Sequence, residues 1–127
     1  KLSISIKFSD LFLLLFFRRK TAIVSGISME PILVSGDIVF YKDVVDTSII
    51  SIGDIVIFNH PTKNIKLIKK ISSIKAEGLE VYGENTHFSD DSKYFGLINK
   101  DSILGIVTSR ISKKSINDLK FLFNLKQ

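Results

Sequence analysis

The chain has 127 residues, 45% of them hydrophobic, and a mean hydropathy of +0.25, which suits one domain with a single core and argues against disorder. It has no cysteine and only two histidines, His60 and His87, so disulfides, thiolate catalysis and cysteine-ligated zinc are excluded, and without an H-E-x-x-H pair no metal site is expected. The net charge of +5 is scattered and lacks an aromatic-interleaved basic helix, which permits acidic partners or anionic lipid and argues against nucleic acid.

Residues 1–20 form an apolar N-terminal segment. Leu2, Ile4, Ile6 and Phe8 alternate with Ser3, Ser5, Lys7 and Ser9, which reads as a short strand. Leu11 to Phe17 is an unbroken apolar run closed by Arg18, Arg19 and Lys20. Such a run is too short to cross a bilayer, which takes about 20 residues. Arginines follow it where a cleavable leader would have small residues. Two readings stand: a segment packed on the domain, or an interfacial anchor whose basic cluster meets lipid headgroups. The chain opens on Lys1 rather than Met, which is consistent with further residues before it.

Residues 21–110 carry the chemistry. Ser28 lies between Gly26 and Pro31, and Pro31 keeps an ordinary helix from running through the stretch. A serine hydroxyl is a weak nucleophile until a base takes its proton. Gly36-Asp37 reads as a turn, Ile38–Tyr41 as a strand, and Ile55–Phe58 as a second strand after Gly53-Asp54. Asn59 to Asn64 is a turn cluster.

The next strand supplies a candidate base. Alternation puts Ile65, Leu67, Lys69 and Ile71 on one face, and Lys66, Ile68, Lys70 and Ser72 on the other. Lys69 is therefore the single cation on an aliphatic face. If that face is buried, the charged form is disfavoured, by up to roughly 3–5 pKa units at full burial, and the amine becomes a usable base. A lysine in such a place can also snorkel to solvent with no special role.

Leu79–Tyr82 is a further short strand, and Gly83 to Gly96 a polar loop whose dense piece is Ser89-Asp90-Asp91-Ser92-Lys93. By itself that piece reads as a solvated turn, and it lacks the order of carboxylates found in a calcium loop. Ile103–Thr108 is a last strand, ending at Arg110. Residues 111–127 form a short amphipathic basic tail. Ile116, Leu119, Leu122 and Phe123 share a helical face, and Ser115 is a candidate cap. The tail is expected to dock on the body or lie on a membrane.

These residues, taken in order, resemble the signal peptidase I family of serine-lysine endopeptidases. Gly26-x-Ser28-Met29-x-Pro31 followed by Gly36-Asp37 is similar to its nucleophile box, and Gly53 to Phe58 to the strand after it. Ile68-Lys69-Lys70 is similar to the base box. Gly83-Glu84-Asn85, Ser89, Asp91-Ser92-Lys93 and Phe95-Gly96 are similar to the last box. Within the family, the short length, Phe58-Asn59-His60-Pro61, Lys66 to Lys69 and Ile103 to Arg110 most resemble the branch of nickel-type superoxide dismutase maturation proteases.

The resemblance implies a small, mainly β, antiparallel barrel-like body of the type shared by signal peptidases and SOS-type repressors, with no cofactor. It implies Ser28 as nucleophile and Lys69 as base, with Ser89 orienting the amine and Asp91 and Lys93 bracing that loop. The Ser28 N–H would bind the oxyanion, and Met29 would shape the cleft. Gly26 stands where some members place a serine that adds a second oxyanion donor. Glu84, Lys70 and Lys93 depart from the family's usual aspartate and two arginines, and lysine lacks the bidentate fork of arginine.

The expected partner is a protein precursor whose N-terminal propeptide or leader is removed, a nickel-type superoxide dismutase in the closest branch. The location that follows is cytoplasmic with peripheral membrane contact, or the secretory membrane for a general signal peptidase. A self-cleaving repressor-like peptidase and a non-enzymatic membrane-surface module are the rival readings.

Overall fold

A computed structural model describes residues 19–85 and 96–125, with backbone only for 123–125. The expected N-terminal strand, the Leu11–Phe17 run, His87 and the loop residues Ser89, Asp91 and Lys93 lie outside the described residues. The strands are β1 (Lys20–Ile23), β2 (Ile38–Asp43), β3 (Ile55–Asn59), β4 (Lys66–Lys75), β5 (Gly78–Tyr82) and β6 (Ile103–Ile111), followed by helix α1 (Lys113–Leu125). They form one six-stranded sheet in the order β1-β2-β6-β3-β4-β5. Every pairing is antiparallel. The fold is thus mainly β, as the sequence implied.

Strand β3 sits in the middle and explains the two-sided core. Val56 and Phe58 join Ile71, Leu79, Val81, Ile98, Ile103 and Ile106 on one face. Ile55 and Ile57 join Val24, Met29, Leu33, Val39 and Val107 on the other. A strand covered on both faces reads as a continuous apolar run rather than an alternating one, which is what Ile55–Phe58 does.

Two elements differ from expectation. Strand β1 begins at Lys20, inside what the sequence assigned to the N-terminal segment, and pairs Lys20 to Tyr41 through Ile23 to Ile38. Lys20 forms a 3.0 Å ion pair with Asp43 across that ladder. Its hydrogen bond and charge contact with Asp43 raise the Lys20 pKa. Helix α1 is capped by Ser112 rather than Ser115. The Ser112 hydroxyl accepts from the Ser115 N–H at 3.1 Å, and its carbonyl accepts from the Ile116 N–H. Leu119, Phe121 and Leu122 of α1 are exposed, and among the described residues no helix is long and apolar enough to span a membrane.

Register irregularities bend the sheet where the site forms. β2 and β6 shift between Phe40 and Tyr41, β3 and β6 between Ile57 and Phe58, and β4 and β5 between Ile71 and Ser73. Such bulges add local twist and re-aim side chains. At Gly105 a Cβ would collide with the Tyr41 ring, so the close approach of β6 to Tyr41 requires glycine there.

Candidate active site

Ser28 lies in the turn between β1 and β2, half-buried. Gly26 enters that turn with φ at 86°, the left-handed region that glycine occupies without cost. A Cβ at Gly26 would meet nothing within 4 Å, so the demand for glycine is conformational rather than steric. The turn closes on itself through Glu30 N–H to Ile27 O and Leu33 N–H to Met29 O. Met29 and Leu33 are buried and anchor it to the second core face.

Asp37 holds the far end of this turn. Its side chain is fully buried and accepts from the Val34 N–H at 2.9 Å, the Lys113 N–H at 2.7 Å and the Arg110 guanidinium at 2.6 Å. Burial alone would raise its pKa; the two N–H donors and Arg110 overcome that and hold the carboxyl below its ordinary value. The contact with Lys113 also sets an anion at the positive end of α1. One carboxylate thus ties the serine turn, the end of β6 and the start of α1. Sequence reading saw only a Gly-Asp turn here. The available signal was Arg110 closing an apolar strand, which calls for a buried partner.

A cleft of about 350 Å³ opens at the turn. Ser28, Gly26, Met29 and β1 residues Thr21, Ala22 and Ile23 form one wall, and Lys66, Leu67 and Ile68 of β4 form another, with Ile57, Tyr41 and Leu104 between them. Lys69, the next residue of β4, does not line the cleft. It is 2% exposed and paired with Val56, on the same face as Ile71 and Leu67. The aliphatic face of the alternation argument is therefore the buried one, and Lys69 does not snorkel.

Strand register links the base candidate to the serine turn. Lys70 pairs with Tyr82 and Ile71 with Val81. Gly83, the next residue after β5, is buried. Two residues on, the Asn85 N–H donates to the Ser28 carbonyl at 2.9 Å. Lys70 and Glu84, both departures from the family pattern, meet in a 3.1 Å ion pair beside this junction. The segment Gly83–Asn85 thus reaches the serine turn. Ser89, Asp91 and Lys93 are outside the described residues.

His60 has a structural task. Its Nδ1 accepts from the Thr62 N–H at 3.1 Å and the Lys63 N–H at 3.0 Å, pinning the loop between β3 and β4. It does not line the cleft. Among the described residues no three His, Asp or Glu side chains gather as metal ligands would.

Comparison with known proteins agrees with this layout. A family model described as "Signal peptidase, peptidase S26" matches residues 2–77, a span that holds the serine turn and the lysine strand and stops before Gly83. A search of curated proteins finds no match. With more than half its length matched, the chain belongs to the signal peptidase family, a family of serine peptidases acting on protein substrates.

Proposed function

We propose that the chain is a metal-independent endopeptidase in which Ser28 and Lys69 act as a dyad. The observation that carries this reading is the burial of Lys69 one residue beyond the cleft wall, on the strand that pairs with β5, whose outgoing segment holds the Ser28 carbonyl through the Asn85 N–H. Ser28 Oγ attacks the scissile carbonyl while Lys69 Nζ takes the hydroxyl proton. The Ser28 N–H stabilises the oxyanion, an effect worth several kcal/mol where the donor is well aimed. Lys69 passes the proton to the leaving amine, and water then hydrolyses the acyl-enzyme, with Lys69 again as base. The family resemblance assigns Ser89 to orienting the amine and Asp91 and Lys93 to bracing its loop; all three lie outside the described residues.

The cleft suits an extended peptide. Among the described residues strand β1 is an edge of the sheet, where a further strand could pair with its backbone. Ile23, 72% exposed, lies along that edge and would be covered by a bound chain. The apolar lining of Ala22, Met29, Ile57, Ile68 and Leu104 fits small uncharged side chains next to the cut.

The substrate we propose is the N-terminal propeptide of a nickel-type superoxide dismutase precursor, whose removal frees the segment that binds nickel. The support is the motifs Phe58 to Pro61, Lys66 to Lys69 and Ile103 to Arg110. Purified protein should process such a precursor, while Ser28→Ala and Lys69→Ala should stay folded and leave it intact. Processing by either variant would end the dyad. Cleavage of secreted preproteins but not of the dismutase precursor would point to a general leader peptidase.

A further inference from the structure

We propose that Lys66 sets charge specificity in the cleft, favouring an extended peptide with an acidic side chain a few residues from the cut bond. The inference rests on the peptidase reading of the same cleft. Among the described residues Lys66 is the one charged side chain lining the cleft. Alternation along β4 turns Lys66 to the same face as Ile68, which packs on the core cluster of Ile57; Ile57 and Ile68 both line the cleft. Lys66 is exposed, and its partner across the ladder is the neutral Asn59.

The same face carries an internal contrast. Four residues further along, Lys70 is matched by Glu84 at 3.1 Å. Among the described residues, no ion pair involves Lys66. The sheet neutralises one cation of this face and leaves the other at the cleft. A peptide filling the cleft displaces water and lowers the local dielectric, so a facing carboxylate is attracted and a facing cation repelled more strongly than in the empty cleft. Lys66 is three positions from Lys69, roughly 10 Å along an extended strand. A peptide in extended conformation would therefore meet it about two to four residues from the scissile bond.

The test uses the full chain and peptides derived from one cleaved sequence, with Glu, Gln or Lys placed in turn at each of about four positions on either side of the cut. One position should favour Glu over Lys by about two- to fivefold in kcat/KM, the range of a partly exposed ion pair, and less at high salt. Lys66→Glu should reverse the preference and Lys66→Gln should abolish it. The same peptides are also titrated by fluorescence anisotropy against Ser28→Ala, with and without Lys66→Glu. Acidic preference in binding that Lys66→Glu removes, with no hydrolysis of any peptide, would support Lys66 and sink the peptidase reading. Hydrolysis with equal rates at every position, or a preference that survives Lys66→Glu, would overturn the role of Lys66 and leave the peptidase standing. Absence of both hydrolysis and preference would overturn both.

Discussion

The N–H of Asn85 donates to the carbonyl of Ser28 at 2.9 Å, and so a backbone hydrogen bond fastens the segment leaving β5 to the serine turn. The bond needs no particular side chain at either residue. It needs an N–H at position 85 and the trajectory that Gly83 and Glu84 give the chain.

Replacing Asn85 by proline removes that donor. The direct loss is about 1 kcal/mol of stability, a typical net value for one hydrogen bond. The effect on turnover should be larger, because a displacement of about 1 Å at a reacting group can cost on the order of a hundredfold. Asn85→Ala keeps the N–H and should be the milder change. Melting curves and kcat for the two variants decide this. Equal kcat in both would mean that the bond does not position Ser28.

Lys69 is 2% exposed, and a buried amine is held at some cost to stability. Lys69→Met should therefore abolish cleavage while leaving Tm within roughly 4 °C, the shift produced by about 1 kcal/mol in a domain of this size. Burial disfavours the ammonium form, so wild-type activity should rise from acid to neutral pH as the free amine becomes available. A flat pH–rate profile would count against a lysine base.

Asp37 predicts a separate pH effect, on stability. Its folded pKa lies below the ordinary 3.8, so it contributes stability in full above that value, and the contribution is lost as pH falls through the lower folded value. Asp37→Asn should remove that part of the acid dependence. It should also cost about 2–4 kcal/mol at neutral pH, because it leaves Arg110, only 15% exposed, without its carboxylate. Urea unfolding at a series of pH values tests both points. An unchanged acid limb in the variant would assign the dependence to other carboxylates.

Gly26→Ala should cost about 1–2 kcal/mol through backbone strain alone, since the position has room for a side chain but a φ of 86°. Asn tolerates this region better than Ala, so Gly26→Asn should be the milder change. The same strain would oppose a serine introduced here as a second oxyanion donor. Comparing Tm for the two variants checks the order; if Ala is as stable as glycine, the turn does not hold that φ.

The sequence by itself determined that the chain is mainly β and which residues could do chemistry. Period-two alternation from Lys66 to Ile71 singles out Lys69 because neighbouring side chains on a strand point to opposite faces, a local property. It could not decide which face is buried, and so could not separate a base from a snorkelling lysine. Only the burial of that face was decided by tertiary structure: the cluster of Val56, Phe58, Ile71, Leu79 and Ile98, with Leu67 packed against it, leaves Lys69 2% exposed. Strand β1 was missed because four residues carry too little pattern, and its identity comes from the ladder with β2. The ties from Asp37 to Arg110 and from Asn85 to Ser28 were hidden for the same reason. They join residues distant in sequence, and only the closing of the sheet brings such groups within hydrogen-bonding reach.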